Sequence, residues 1–362
     1  MKASFTTFIT GLYDLKHYIN GLDFESEILS SSMPCRKKTT CKINIMAFKI
    51  HWNTSYIRKR RFNYNSIIVS LYGYLEQYIE NLISSTASLI NEVVPSYKQL
   101  SSQIQDHHLR LSLDLIKKAD HSRFRGKFTP ENIIDNLNCC LNGSSSYHLN
   151  CEAFAQHTAN FKIEVINENL KFLGIDNACN RLLSKPIFKD YLKRIYPERD
   201  PSTIKIEDAL SCLQDLAERR NQVAHGVLPD ELLSNDILLS YIEFFEAFGH
   251  GLYEVCYEYI LPYIVTFQAV PLGKPTGVFL KDRVICIFID QAKIKVGDEI
   301  IARSSDGTSF YFGAIEEIQL EDNSLAEIDI QTRAEVGLRL PFKNKSTYDY
   351  FLPKKPVLDI NT

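Results

Sequence analysis

The sequence lacks several features that define common functional classes. No apolar run is long enough to span a membrane, and Tyr13, Asp14 and Lys16 interrupt the apolar start of the chain, so neither a membrane anchor nor a signal peptide is expected. Nine cysteines are scattered without a CxxC pair, which favours reduced thiols in the cytoplasm over a disulfide framework or a zinc site. Because GxxxxGK(S/T), GxSxG and HExxH motifs are also absent, nucleotide-hydrolysing P-loop enzymes and the corresponding hydrolases are poorly supported.

Acidic residues are missing between Ile28 and Leu75, although the whole chain has a net charge of −3. The same stretch carries nine basic side chains: Arg36, Lys37, Lys38, Lys42, Lys49, Arg58, Lys59, Arg60 and Arg61. Its second half also contains Trp52, Tyr56, Phe62 and Tyr64. Cations interleaved with aromatic rings are typical of surfaces that hold an RNA backbone and stack bases. A solvated basic segment and a surface for an acidic partner protein remain open alternatives.

Two groups of basic residues are therefore candidate RNA contacts. The first is Arg58, Lys59, Arg60 and Arg61. The second is Arg123, Arg125 and Lys127, which precede a predicted helix start, and it is equally compatible with a charged loop.

Length and periodicity predict two regions. A chain of 362 residues with 45% hydrophobic and 23% charged residues has the composition of an ordinary globular protein with room for two cores. Apolar residues recur with helical spacing up to about residue 265, and then with a period of two after Pro271–Gly277. We expect a mainly α-helical region over 1–265, with its core at about 55–262, and a small all-β barrel over 272–362.

Local signals place several elements within the first region. The alternation in residues 41–52 predicts a strand, and the pattern from Asn65 predicts a long helix that ends before Pro95. Thr129-Pro130 predicts a helix start, whereas residues 190–205 are interpreted as a connector because they contain Pro197 and Pro201. The last helix, within residues 227–264, is apolar on most faces, so it is expected to be deeply buried or to form a subunit interface, and we favour the interface.

Histidines outside the last helical motif give no sign of a metal site. His107 and His108 are adjacent, so they point to different sides of a helix and are expected on a polar face. His148 and His157 are expected to be structural.

The stretch Ile206–Gly226 contains the densest group of chemically capable side chains. Its apolar spacing predicts one amphipathic helix that begins after Thr203 and stops at Gly226. Near its end, four side chains suited to phosphate chemistry lie within seven positions: Arg219, Arg220, Asn221 and His225. An imidazole, a guanidinium and an amide can together move a proton beside a phosphate. The same residues could instead complement the helix dipole and cap the last carbonyls.

The sequence RRNQVAHG at this helix end resembles the Arg-Asn-x-x-x-His signature of the HEPN superfamily. The resemblance extends upstream through ENIIDNLNCCLN and FAQHTANFKIEVINENLKFLGI to SLYGYLEQYIENLI, in the order found in bacterial toxins and anti-phage defence ribonucleases. It implies a helical bundle that forms a homodimer with one composite site and cleaves RNA without a metal or other cofactor. Arg220, Asn221 and His225 would then be catalytic, and Arg219 would contact RNA.

The β region resembles domain 2 of translational GTPases in KVGDEIIA, AIEEIQLEDNS and AEVGLRL. This leaves two alternatives to a ribonuclease. A HEPN module could be a non-catalytic dimerising adaptor for a partner nuclease or ATPase, or the barrel could bind RNA or a translation component. A ribonuclease of this kind would have RNA as substrate and an antitoxin or companion defence protein as partner, and it would need no membrane.

Overall fold

The computed structural model describes residues 1–30, 39–118, 128–143, 146–227, 231–321 and 323–354. Helices precede strands in these residues. The helices are α1 (Lys2–Ser30), α2 (Thr39–Val93), α3 (Ser102–Lys118), α4 (Pro130–Leu141), α5 (Cys151–Phe154), α6 (Ile163–Phe172), α7 (Ala178–Leu183), α8 (Pro186–Ile195), α9 (Ile206–Ala209), α10 (Ser211–Ala224) and α11 (Asn235–Phe267). The strands are β1 (Ala269–Gly273), β2 (Gly277–Phe279), β3 (Val284–Ile289), β4 (Ala292–Lys295), β5 (Glu299–Arg303), β6 (Phe310–Ala314), β7 (Glu317–Leu320), β8 (Asn323–Leu325), β9 (Glu327–Ile330), β10 (Ala334–Arg339) and β11 (Asp349–Pro353).

Helix α11 lies at the centre of the helical bundle, where α1, α2, α7 and α8 pack against it. Its large apolar side chains, such as Phe244, Phe245 and Phe248, are almost completely buried by these helices. The interpretation of this apolar face as a subunit interface is therefore wrong, because the chain covers the face itself. The Tyr78 hydroxyl of α2 donates a buried hydrogen bond of 2.7 Å to the carbonyl of Gly249.

Close packing at Gly249 gives a prediction about stability. A Cβ atom at this position would lie 2.7 Å from Cε1 of Phe8, whereas a Cβ at Gly73 on α2 would meet nothing within 4 Å. We expect Gly249→Ala to lower the free energy of unfolding by about 1–3 kcal/mol through overpacking. Gly73→Ala, the matched control, should raise it by up to about 1 kcal/mol, since alanine favours helices. Urea unfolding of both variants tests this, and equal effects would contradict it.

The C-terminal region is all β in the residues described. Its sheets have the strand orders β1-β11-β5-β6, β2-β3-β10-β7-β8 and β4-β9, with antiparallel pairing throughout. Along β3, Ile285, Ile287 and Ile289 alternate into an isoleucine-rich core, as the period of two predicts. A helical bundle followed by a small all-β region is thus confirmed as the fold class. The likeness to domain 2 of translational GTPases stays a prediction.

Helix α11 contacts the strands of the β region near its C-terminal end. The helical region and the β region, which we divide at residues 265 and 272, are therefore in contact. The secondary structure changes from helix to strand at Gln268, between α11 and β1. The Tyr257 ring lies edge-on to Phe312, with 4.7 Å between ring centroids, and its hydroxyl donates to Glu299 Oε1 at 2.5 Å. The other carboxylate oxygen of Glu299 is buried without a hydrogen-bond partner among the described residues. Two independent domains remain a proposal.

Burial of Glu299 gives a second prediction. It raises the pKa of this carboxyl from an ordinary 4.5 to about 7, although the Tyr257 hydrogen bond opposes the rise. The folded protein therefore holds a proton that the unfolded chain releases, so stability should fall as pH rises from about 4.5 to about 7, by about 3 kcal/mol at most. Glu299→Gln should remove most of this decline. Unfolding measured at pH 5 and pH 8 tests the expectation, and an unchanged pH slope would contradict it.

Several local predictions are confirmed. Helix α2 ends at Val93, just before Pro95, and the Thr129 side chain accepts a hydrogen bond from the Asn132 backbone N–H at the start of α4. Gly226 has φ of 68° and ends α10.

Other local predictions are wrong. Residues 41–52 are helical within α2 rather than a strand, because no Gly or Pro interrupts the chain between 39 and 72. Most of Asp190–Tyr196 belongs to α8, which starts with Pro186 at its first turn, and only the residues beyond it form a connector. The motif stretch is two helices, since Leu210 leaves helical geometry (φ −111°, ψ 20°) between α9 and α10. Neither uses Thr203 as its N-cap.

His108 is also misplaced by the sequence pattern. It is buried rather than on a polar face, and its Nε2 accepts the backbone N–H of Asn150 at 2.9 Å. Burial lowers its pKa to about 4, so the ring is neutral and serves packing.

Candidate active site at the end of helix α10

Helix α10 presents the motif at its C-terminal end. Leu213, Leu216 and Ala217 are buried, and the helix packs on α2, which orients the last turn. Backbone bonds from Gly226 N to Val223 O (3.1 Å) and from Val227 N to Gln222 O (2.9 Å) close the helix in a Schellman arrangement. The end of the helix is therefore geometrically defined.

His225 occupies the C-cap position of α10. Its backbone stays close to helical (φ −89°, ψ 5°), and its N–H bonds to the Asn221 carbonyl at 3.0 Å. Positions four apart lie on one face of a helix, so His225 follows Asn221 by one turn. The His225 side chain is exposed and makes no hydrogen bond, ion pair or ring contact within the described parts of the chain. It is available to a substrate or to a second protein chain.

Arg220 lies on an aromatic support. Its guanidinium carbon is 5.1 Å from the centre of the Tyr72 ring of α2, within the range of a cation–π contact. Burial raises the pKa of Tyr72 to about 12, although the Phe161 backbone N–H, which donates to the hydroxyl at 3.0 Å, opposes the rise. The phenol is therefore neutral at physiological pH, and its position is fixed at both the ring and the hydroxyl.

Asn221 is oriented by two donors. Its Oδ1 accepts from Nδ2 of Asn160 at 2.6 Å and from Nη1 of Arg220 at 3.4 Å. With the oxygen engaged in this way, the amide nitrogen is the part of Asn221 that can donate to an added ligand. Arg220 and Asn221 thus form a positively charged donor pair beside an exposed imidazole. Such a group can bind a phosphate and move a proton next to it.

Arg219 differs from its neighbour, because the fold occupies its donors. Nε lies 2.5 Å from Asp215 Oδ2, and Nη1 donates to the Tyr64 hydroxyl at 2.9 Å and to the Glu231 carbonyl at 3.4 Å. Asp215 also accepts a short hydrogen bond from Tyr241. Burial alone would lower the pKa of Arg219, but the bonds to Tyr64 and Asp215 raise it. The structure therefore makes Arg219 a link between α10, α2 and α11, rather than the free RNA contact that its position in the motif suggests.

The basic cluster of α2 divides between two environments. Arg58 and Arg61 are exposed and make no ion pair in the segments described. Lys59 pairs with Glu25 of α1 at 2.7 Å and lies 3.7 Å from the centre of the Trp52 ring. Arg60 lines, with Lys59 and Tyr64, a cavity of about 450 Å³ between α1, α2 and the start of α11. The second cluster, Arg123, Arg125 and Lys127, lies outside the described residues.

Sequence reasoning missed the residues that support the motif. Tyr72 reads as one more apolar position of α2, and Asn160 lies in the irregular segment before α6 with no motif around it. Neither carries a local signal, since their roles depend on contacts across 89 and 61 positions. Sequence reasoning also did not bring together Glu76, Glu80 and His157, whose potential ligand atoms lie within 4.8 Å of one another.

Comparisons with known proteins identify a family. A family model described as RiboL-PSP-HEPN matches residues 47–258, which include α10 and all of its supporting residues. A comparison with curated proteins gives no match. Among solved structures, a flavohemoglobin from Malassezia yamatoensis, determined with bound FAD and heme, matches at 12% identity over 70% of this chain, with a TM-score of 0.16. The match spans 64% of the flavohemoglobin chain, and at so low a TM-score it does not show a shared fold. No helix in the described part of the chain is long and apolar enough to cross a membrane.

Proposed function

The chain belongs to the RiboL-PSP-HEPN family, and on that premise we propose that it is a metal-independent endoribonuclease. Family membership supports an RNA-related role of the HEPN type. The observation that carries the finer proposal is the end of α10, where Arg220 and Asn221 are held by Tyr72 and Asn160 while His225 is left exposed. Three side chains suited to phosphate chemistry are thus kept next to solvent.

The proposed reaction uses the RNA as its own nucleophile. The 2′-hydroxyl loses its proton to a base and attacks the adjacent phosphorus, and the bond to the 5′-oxygen breaks as an acid protonates that oxygen. The products are a 2′,3′-cyclic phosphate and a 5′-hydroxyl end. His225 is the base or the acid, Arg220 stabilises the charge that builds on the phosphate, and the Asn221 amide orients a phosphate oxygen.

One imidazole cannot give and take a proton at the same moment, so we propose that the chain forms a homodimer. Each copy would bring one His225 to a composite site, with one imidazole acting as base and the other as acid. Exposed apolar side chains suit a second copy, namely Phe62 and Val69 on α2, the helix on which α10 packs, and Val227 just beyond His225. We propose this surface as the dimer interface in place of the apolar face of α11, because the chain's own helices bury that face.

The exposed guanidinium groups of Arg58 and Arg61 support binding of the RNA backbone along α2, in addition to the site. Tyr64 links the two regions, since it lines the cavity next to Arg60 and its hydroxyl accepts from Arg219. We propose that the chain acts in the cytoplasm as a toxin or anti-phage defence effector, restrained by an antitoxin or a companion defence protein. The barrel would recruit such a partner or a structured RNA.

Controlled expression tests this function. Cells expressing the wild type and His225→Ala are compared for growth, and their total RNA is analysed for new 3′ ends. Growth arrest with fragments that end in cyclic phosphate, both lost in the variant, supports the ribonuclease. Growth arrest that is equal in both strains would contradict the ribonuclease and favour either the adaptor or the barrel alternative. Deletion of residues 1–265 distinguishes these two, because only a function of the barrel should survive it.

A further inference from the structure

Three potential metal ligands converge beneath the loop that supports Asn221. Glu76 and Glu80 are four residues apart on α2 and so share a face, and His157 approaches them from the segment between α5 and α6. The Nε2 atom of His157 lies 2.7 Å from Oε1 of Glu80 and 3.5 Å from Oε1 of Glu76. The side chain of His157 is 6% exposed, and those of the two glutamates are about one quarter exposed.

The other nitrogen of His157 has the partner that a metal-bound imidazole needs. Nδ1 lies 2.7 Å from the carbonyl oxygen of Ala159, so it carries a proton and donates to that oxygen. This bond fixes the tautomer and aims Nε2 at the two carboxylates. Metal-bound histidines in proteins are held in the same way, with the second ring nitrogen donating to a carbonyl or carboxylate. The ring is also fixed by Phe161, whose centroid is 4.1 Å away.

Charge favours a cation between the two carboxylates. Like charges at positions four apart on a helix repel one another, so a cation that bridges them is stabilising. In a tetrahedral zinc site with nitrogen and oxygen ligands at about 2.0–2.2 Å, the ligand atoms are separated by roughly 3.3–3.6 Å. Atoms that already lie within 4.8 Å of one another reach this geometry by shifts of about 1 Å.

We propose that Glu76, Glu80 and His157 bind one Zn²⁺ ion per chain. An imidazole ligand selects zinc over Mg²⁺ and Ca²⁺, which prefer oxygen ligands alone. The partial exposure of both glutamates gives the ion a route of entry and leaves room for a water as fourth ligand. The ion ties the segment around His157 to α2, and takes no part in RNA cleavage.

The position of this site gives the ion a structural effect on the motif. Asn160 and Phe161 follow His157 within four residues, and they hold the Asn221 side chain and the Tyr72 hydroxyl respectively. A bound ion would therefore restrain the segment that orients Asn221. The site does not depend on the proposed ribonuclease function, because metal binding is measured without RNA.

The competing state is a proton in place of the ion. An imidazolium of His157 would donate from Nε2 to the glutamates and form the same contacts as ion pairs. Calorimetry with ZnCl₂ at pH 7.5 on the metal-stripped, reduced full chain separates the two states. Because cysteines elsewhere in the chain can bind zinc, the readout is the difference between the wild type and Glu76→Gln, Glu80→Gln and His157→Gln. Asp190→Asn, an exposed carboxylate on α8, is the matched control.

We expect the wild type and Asp190→Asn to bind one more equivalent of zinc than the three ligand variants, or to bind zinc more than about 100-fold more tightly. Titration with MgCl₂ should give no signal at this site. X-ray absorption of the loaded wild type should show imidazole and oxygen ligands. Equal zinc binding by all five proteins, or a shell of sulfur alone, would overturn the proposal. Circular dichroism tests whether each variant is folded. If His157→Gln does not fold, the two glutamate variants still decide the test.

Discussion

Replacing His225 with alanine is expected to lower the rate of RNA cleavage by about 10²- to 10⁴-fold, the range for loss of a general acid or base. The fold should be unaffected, because the imidazole is exposed and makes no hydrogen bond, ion pair or ring contact with the rest of the described chain. In the composite site of the proposed dimer, the substitution would remove both the base and the acid. The measurement is the initial rate of cleavage by purified wild type and variant, at equal concentrations of folded protein.

His17→Ala is the control for this experiment. His17 is also an exposed histidine on a helix, and among the described residues its one ring contact is with Tyr13, one helical turn earlier. The His17→Ala variant should cleave RNA at the wild-type rate. If His225→Ala retained more than about a tenth of the wild-type rate while unfolding at the same temperature, His225 would not be the catalytic acid or base.

The two adjacent arginines are expected to fail in different ways. Arg220→Ala should lower the cleavage rate by about 10²- to 10³-fold with little loss of stability, since in the proposed mechanism it removes the donors that stabilise charge on the phosphate. Arg219→Ala should instead lower the free energy of unfolding by about 1.5–3 kcal/mol, because Asp215 and Tyr64 lose a charged partner inside the bundle. Its effect on the rate per folded molecule should be the smaller of the two.

A lysine substitution sharpens the contrast. Arg220→Lys keeps the charge but loses the planar group that lies over Tyr72, so it should recover only part of the rate. Thermal unfolding and cleavage rates, measured on the wild type, Arg219→Ala, Arg220→Ala and Arg220→Lys, test both expectations. A rate loss of equal size in the Arg219 and Arg220 variants would show that the structural distinction between them is irrelevant to function.

Helical spacing predicted the parts of the fold where apolar side chains meet a core. It located α2 from residue 65 onwards because residues such as Ile68, Leu71 and Leu75 are completely buried there. It failed in the first half of the same helix, where Met46, Phe48 and Ile50 are more than half exposed. With no core to face, their order carries no helical period, and a short alternation was mistaken for a strand.

The candidate site could be predicted only as far as it is local. The order Arg220, Asn221, His225 is a property of one helix end, and Gly226 predicted where that end lies. Which arginine faces the bundle is not local, because neighbouring positions differ by about 100° around a helix and only packing decides between them. Tyr72 and Asn160 could not be predicted for the same reason, since each acts through a contact between distant segments.

Cleavage through the 2′-hydroxyl is the central claim, and it is tested most directly with a chemically altered substrate. An RNA that the chain cuts at one site is prepared with a single 2′-deoxynucleotide on the 5′ side of that bond. We predict that the unaltered RNA gives a 2′,3′-cyclic phosphate and a 5′-hydroxyl, and that the altered RNA is left intact at this position. Cleavage of the altered RNA at the same rate would contradict the account, because the nucleophile would then be something other than the RNA itself.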